Sequence, residues 1–237
     1  VTRPWEVLER VSTAAGALEL RRRAPDDYLV TLAGRVLMNS VASRSEKALA
    51  ELACAELKGR RRPRLLIGGL GMGYTLRAAL DALPDGARVI VAELHEAVAG
   101  WCRGPLAQLS GGALDDPRVS LRICDVAGLV DEAASRSGKL FDAILLDLFE
   151  GPGTPAQLRE HPQYGVAALT RTRAALRHDG VLAVWCEDRA PAFEKSLRKA
   201  GFSLRHERPG RGGRRHAVYL ARPEAGGRRR ARSARRA

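Results

Sequence analysis

Four glycines close the run Leu65-Leu66-Ile67-Gly68-Gly69-Leu70-Gly71-Met72-Gly73, at the point where a strand-like apolar stretch gives way to a helical pattern. Glycine lets the backbone turn tightly and approach a ligand closely, and a helix N-terminus offers unpaired N–H donors. Gly68, Gly69, Gly71 and Gly73 are therefore expected to pass under a bound cofactor. A second signal is Glu93, 25 residues past Gly68 and followed by Leu94. That is near the ~20-residue spacing at which a carboxylate meets a ribose in nucleotide-binding α/β folds, so Glu93 is expected to accept the sugar hydroxyls, with Leu94 beside it. A third is Cys124-Asp125-Val126. An acid followed by a free N–H matches an adenine edge, which needs an acceptor for its amino group and a donor for its ring nitrogen. Either acid could instead cap a helix. Asp147 and Glu150 then stand in Asp147-Leu148-Phe149-Glu150-Gly151-Pro152, where another apolar strand ends.

These residues need strands whose carboxyl ends lie side by side, and the chain supplies the pattern. From Arg64 onward, strand-like runs at 64–68, 88–93, 118–124, 141–147 and 181–186 alternate with helices starting near Met72, His95, Val126 and Val166. That alternation builds a parallel sheet with helices on both faces. A further helix over 191–200 precedes two runs, 202–206 and 214–221, that read as an antiparallel pair. The expected fold class is α/β: a seven-stranded Rossmann-like methyltransferase fold, mostly parallel with an antiparallel last strand. A small β-rich N-terminal piece precedes it: a hairpin from Gly16–Arg21 and Tyr28–Leu32, and a short strand at Arg35–Met38. Ser43 and Glu46 form a predicted capping box ahead of a helix over 47–57. The domains are drawn as 1–60 for the hairpin region and lead-in helix, 61–222 for the cofactor-binding domain, and 223–237 for an Arg-rich tail expected to be disordered.

A nicotinamide dinucleotide would use the same glycine loop and acid. Its G-x-G-x-x-G fingerprint, started from Gly69 and Gly71, puts Tyr74 at the third glycine and fails. The G-x-G-x-G spacing is the methyltransferase-like one. Taken with Gly34-Arg35-Val36-Leu37-Met38, Val91-Ala92-Glu93, Asp116-Pro117-Arg118-Val119 and Phe141-Asp142-Ala143-Ile144-Leu145-Leu146-Asp147, the chain resembles the spermidine synthase-like family over nearly its whole length. The resemblance implies S-adenosylmethionine, or its decarboxylated form, as cofactor. It also implies roles for two acids. Asp147 matches the carboxylate that helps deprotonate the attacking amine, and as an alternative it holds the methionine amine of the donor. Glu150 matches the second acid, which holds the amine substrate. A homodimer is implied by the same resemblance. One departure stands out: users of the decarboxylated cofactor carry Asp in the loop where this chain has Gly71. Losing that anion removes a contact to the cationic aminopropyl arm, which favours the intact cofactor. Methyl transfer to a small-molecule acceptor is thus the leading expectation, with aminopropyl transfer to a polyamine-like amine as the alternative.

Composition bounds the rest. The net charge of +13 is uneven: residues 205–237 hold twelve Arg against Glu207 and Glu224, so the body is nearly balanced. The tail could hold RNA through phosphate contacts, making a non-catalytic nucleotide- or RNA-associated module the third reading. Cys54, Cys102, Cys124 and Cys186 show no metal or redox spacing, so no metal is expected and they read as small buried hydrophobes. No apolar run approaches membrane-spanning length and no leader pattern is evident, which gives a cytoplasmic expectation.

Overall fold

A computed structural model of the chain describes residues 3–135, 138–149, 151–152, 161–209 and 216–224. Seven strands form one sheet: β5 (Arg64–Gly68), β6 (Arg88–Glu93), β7 (Val119–Ile123), β8 (Phe141–Leu146), β9 (Leu176–Cys186), β10 (Phe202–Glu207) and β11 (Ala217–Pro223). Their spatial order is β10-β11-β9-β8-β5-β6-β7. Strands β5 to β9 pair in parallel, and β11 lies antiparallel to both β9 and β10. This is the expected α/β architecture with its antiparallel closing strand.

The sheet is central because its middle strands are apolar on both faces. Leu65 and Ile67 of β5, Ala143 and Leu145 of β8, and Val181 and Ala183 of β9 enter one core, while Leu66, Ile144, Leu146, Leu182 and Val184 enter the other. Alternate residues of a strand face opposite ways, so unbroken apolar runs require cover on both sides. Helices α1 (Arg44–Ala55), α2 (Tyr74–Ala82) and α3 (Glu96–Arg103) supply one cover; α4 (Val126–Ala134), α5 (Val166–Ala175) and α6 (Pro191–Lys199) supply the other. At the amino ends of the strands, the Asp142 carboxylate accepts the Arg64 N–H at 2.7 Å and pairs with Arg60 and Arg177. That cluster fixes β8 against the start of β5.

The N-terminal piece is larger than the sequence suggests. It is a four-stranded antiparallel sheet of β1 (Glu6–Thr13), β2 (Gly16–Ala24), β3 (Asp27–Leu32) and β4 (Arg35–Asn39). β1 escapes prediction because a register shift between Val7 and Glu9 breaks its alternation, and it is mostly exposed. Leu18, Leu20, Tyr28 and Val30 join the same core as α1 to α3, so this sheet packs onto the larger one. β9 starts at Leu176, five residues before the expected strand, because Arg177, His178 and Asp179 are exposed and carry no apolar signal. The capping box is not formed. Ser43 stands at the α1 N-cap without a side-chain cap bond, and the Glu46 carboxylate instead accepts the Ser45 hydroxyl at 2.7 Å. Among the described residues no helix is long and apolar enough to cross a membrane, and no group of three or more His, Cys, Asp or Glu is placed to hold a metal. Glu150 and the Arg-rich run from 225 onward lie outside the described residues.

Candidate active site

The strand order reverses direction about β5, whose neighbours are β6 and β8, and ligands in such sheets settle at the carboxyl ends beside that point. A cavity of about 380 Å³ lies there. Of the residues singled out from the sequence, Gly69, Gly71, Glu93, Leu94, Asp125, Val126 and Asp147 all line it. Gly68 and Gly73 do not. Gly68 ends β5, where an added Cβ would come within 2.9 Å of Val126, and Gly73 is the α2 N-cap, packed on Ser110. Their glycines serve packing and turn geometry beneath the loop.

Gly69 carries the sharpest backbone demand. Its φ is +88°, and an added Cβ would sit 2.3 Å from the Asp147 carbonyl oxygen. That close approach brings the loop after β5 against the loop after β8, with the Asp147 N–H donating to Gly68 at 2.9 Å. Gly71, at φ +55°, is covered by another element: the Met38 sulfur of β4 lies 3.5 Å from the position its Cβ would take. The Cys102 thiol donates to the Gly71 carbonyl from behind, at 3.2 Å.

The acids are held differently. Glu93 is buried, with one carboxylate oxygen accepting the Leu70 N–H and the other the His95 N–H, each at 2.9 Å. Each oxygen retains a second lone pair, so the group can still accept a pair of hydroxyls while its orientation is fixed. Asp125 is exposed and caps α4, its Oδ1 accepting the Ala127 N–H at 2.9 Å and the Gln163 side-chain amide at 3.0 Å. Both roles considered for it therefore coexist: cap, and acid on the cavity wall. Asp147 accepts a hydrogen bond from the Thr75 hydroxyl of α2. Burial pushes its carboxyl up to about 7, against the opposing pull of the Thr75 hydrogen bond and with the nearby Glu46 charge adding to the rise. A carboxylate with that affinity exchanges a proton near neutral pH, as a general base requires.

Several lining residues gave no advance signal of their role. Thr75 sits one turn position inside α2, and only the fold reveals that its hydroxyl reaches Asp147. Glu46 turns into the cavity instead of capping its helix. Leu32, Leu37 and Met38 arrive from the N-terminal sheet, and Trp185 from near the end of β9. The strand-end rule that found Glu93 and Asp125 would also have pointed to Trp185. Tyr74 lines the cavity, and its hydroxyl donates to the Ser40 carbonyl at 2.8 Å, tying the β4–α1 connection to the glycine loop. Arg44, at the start of α1, is not among the lining residues. Cys54, Cys102 and Cys186 are buried as expected, whereas Cys124 is half-buried and lines the cavity. Burial and the Asp125 charge push its thiol up, which keeps it protonated.

Among the described residues the cavity wall carries four carboxylates, Glu46, Glu93, Asp125 and Asp147, and neither Lys nor Arg. This occurs in a chain of net charge +13. A wall of that charge attracts cations.

Comparison with known proteins places the fold. No protein-family model matches the chain. Over 86 residues it is 37% identical to a polyamine aminopropyltransferase of Pyrobaculum calidifontis, a match spanning 35% of this chain and 28% of that relative's length. The structure superposes on a spermidine synthase from Thermotoga maritima with TM-score 0.70 and 20% identity, covering 92% of this chain and 73% of that one. A spermidine synthase in complex with the transition state analogue AdoDATO gives 0.68 and 19%, with 92% and 72% covered. A probable spermidine synthase from Corynebacterium glutamicum gives 0.60 and 18%, with 92% and 80% covered. The chain has the fold of the spermidine synthases, and the resemblance read from its motifs is repeated in sequence and in three dimensions.

Proposed function

We propose that this chain is a transferase acting on an S-adenosylmethionine-type donor, and that the group it moves is the aminopropyl arm of decarboxylated S-adenosylmethionine. The observation that carries this reading is the all-acidic wall. A sulfonium, an aminopropyl ammonium and an amine acceptor are each positive, and four carboxylates without a Lys or Arg among the described lining residues suit all three. An intact methionine carboxylate would find no cation there. The relative named a polyamine aminopropyltransferase, and the spermidine synthase bound to AdoDATO, support the same choice over the methyl transfer expected from Gly71.

In this reading Glu93 holds the ribose hydroxyls, Asp125 and the opening N–H of α4 at Val126 face the adenine, and Gly69 and Gly71 pass beneath the tail. Bound in this way, the donor supplies a carbon made electrophilic by its sulfonium. The protein's part is to align an acceptor nitrogen at about 3–3.5 Å from that carbon and to take its proton. Asp147 takes the proton, oriented by Thr75, and Glu46 keeps the acceptor's positive end near it. Glu150, next along from Phe149, is a further candidate for the acceptor side.

Methyl transfer from the intact cofactor is the second reading, favoured by the Met38 sulfur lying over Gly71 where a carboxylate could have met the aminopropyl amine. Mass spectrometry of the spent donor separates the two. Methylthioadenosine accumulating with an amine acceptor supports aminopropyl transfer, and S-adenosylhomocysteine with the intact donor supports methyl transfer. Neither product forming with any amine or hydroxyl acceptor would overturn both.

A further inference from the structure

Resting on the reading of Glu93, Asp125 and Val126 as the groups that hold the donor's nucleoside, we propose that Gln163 is a positioning residue that sets the base preference of the site, holding Asp125 in the orientation that accepts a 6-amino purine. Asp125 alone is poorly suited to selection. It is exposed, and a solvated carboxylate that can pivot gains little from one more hydrogen bond, because water serves it nearly as well. Telling an amino group from a carbonyl requires that the acid be fixed before the ligand arrives.

Two elements fix it. The Ala127 N–H in the first turn of α4 donates to Oδ1 at 2.9 Å, and the Gln163 side-chain amide, 38 residues away in the chain, donates to the same oxygen at 3.0 Å. One bond would leave the carboxylate free to pivot about Oδ1; a second, from a different element, restricts that rotation. Oδ2 takes no bond among the described residues, and Asp125 and Gln163 line the cavity together.

Gln163 is itself held. Its backbone N–H donates to His161 Nδ1 at 3.2 Å, and the His161 ring packs on Tyr164 with centres 4.6 Å apart. Tyr164 is fully buried and meets Phe193 edge-on at 5.7 Å, so the residue next to Gln163 is anchored in the core that α4 to α6 cover. Gly165 then stands at the N-cap of α5, which packs along α4. The bridge from Gln163 to Asp125 joins the entry of α5 to the entry of α4 at the cavity wall.

A 6-amino purine gives one N–H to Asp125 and takes the Val126 N–H at its ring nitrogen. A 6-oxo purine reverses both groups: its carbonyl oxygen faces the carboxylate, and its ring N–H faces the Val126 N–H. Polar sites so arranged reject the mismatched partner strongly, provided that the acid cannot turn away. Gln163 supplies that condition.

Calorimetric titration of the full chain with methylthioadenosine and with methylthioinosine, which differ at the 6-position and the adjoining ring nitrogen, reads the preference as a ratio of dissociation constants. The wild-type protein is expected to favour methylthioadenosine by about 30-fold or more. Gln163→Met keeps the side-chain length and removes the donor; it should lower that ratio by about fivefold or more, mainly by weakening methylthioadenosine. Gln163→Glu sets a second carboxylate against Asp125 and should lower the ratio further. A purely structural role would weaken both nucleosides alike, so an unchanged ratio in Gln163→Met, or an undiminished one in Gln163→Glu, overturns the proposal while the donor reading stands. A wild-type ratio near one overturns it as well, since Asp125 then selects no base. Failure of both nucleosides to bind the wild-type protein overturns the donor reading and this proposal with it.

Discussion

Replacing Asp147 with Asn should make the protein more stable and less active, with the stability gain depending on pH in a defined way. In the folded chain the carboxyl keeps its proton up to about pH 7, against an ordinary value of 3.8. The folded state therefore binds more protons than the unfolded one between those values. Stability is lost as pH rises through that window and the loss levels off above about 7. A rise from 3.8 to about 7, at about 1.36 kcal/mol per pH unit, corresponds to about 4 kcal/mol at the plateau. Asn is neutral throughout, and its side-chain oxygen can still accept the Thr75 hydroxyl, so the variant escapes the loss without losing the contact. Urea unfolding of both proteins from pH 4 to pH 8 is the assay. The difference in stability should be near zero at pH 4, grow through the interval, and approach about 4 kcal/mol at pH 8 with equal m-values. Transfer should fall by about 10²–10⁴-fold, as expected for removal of a general base. The wild-type kcat/KM should rise along a limb centred near pH 7. A stability difference that stays flat with pH would refute the account of Asp147 as a carboxyl raised by burial.

Glu93→Ala removes an oriented charged acceptor and should weaken methylthioadenosine binding by about 10- to 100-fold in calorimetry, corresponding to about 1.5–3 kcal/mol. Gly71→Asp should restore an anion at the loop and shift preference toward decarboxylated over intact S-adenosylmethionine by about tenfold, read as a ratio of dissociation constants. Gly69→Ala combines a left-handed backbone with a contact on the Asp147 carbonyl; a cost of about 2–4 kcal/mol in urea unfolding is expected, together with loss of donor binding. Asp142→Ala takes the acid away from Arg177 and the Arg64 N–H and leaves Arg60 with Asp179 alone, and should cost about 1–3 kcal/mol without altering donor specificity.

The glycine loop and the strand-end acids of the cavity were legible in the sequence because each of these features is local. A glycine that must take φ +88°, an acid at the end of an apolar strand, and an acid at a helix start all leave their mark within a few residues. The parallel sheet was legible for the same reason, since strands buried on both faces must be continuously apolar. The part of the wall that comes from the N-terminal sheet was not. Leu32, Leu37 and Met38 have the composition of any half-buried strand, and nothing local says that β3 and β4 fold back onto the glycine loop more than thirty residues on. The Ser43 and Glu46 spacing matched a cap, yet Glu46 found a neighbouring hydroxyl and an open cavity instead. β1 was missed because a bulge erased its alternation. The preference for methyl over aminopropyl transfer leaned on Gly71, before the acids of the described wall could be seen together.

The placement of β4 has an evolutionary consequence. A five-residue strand contributes Leu37, Met38 and Asn39 to the cavity, while the strand ends of the seven-stranded sheet carry Glu93, Asp125 and Asp147. On the proposed reading, substitutions along that short strand can retune which acceptor is taken while the groups proposed to hold the donor stay untouched. Acceptor preference and donor binding then reside on separate pieces of chain that can be substituted independently.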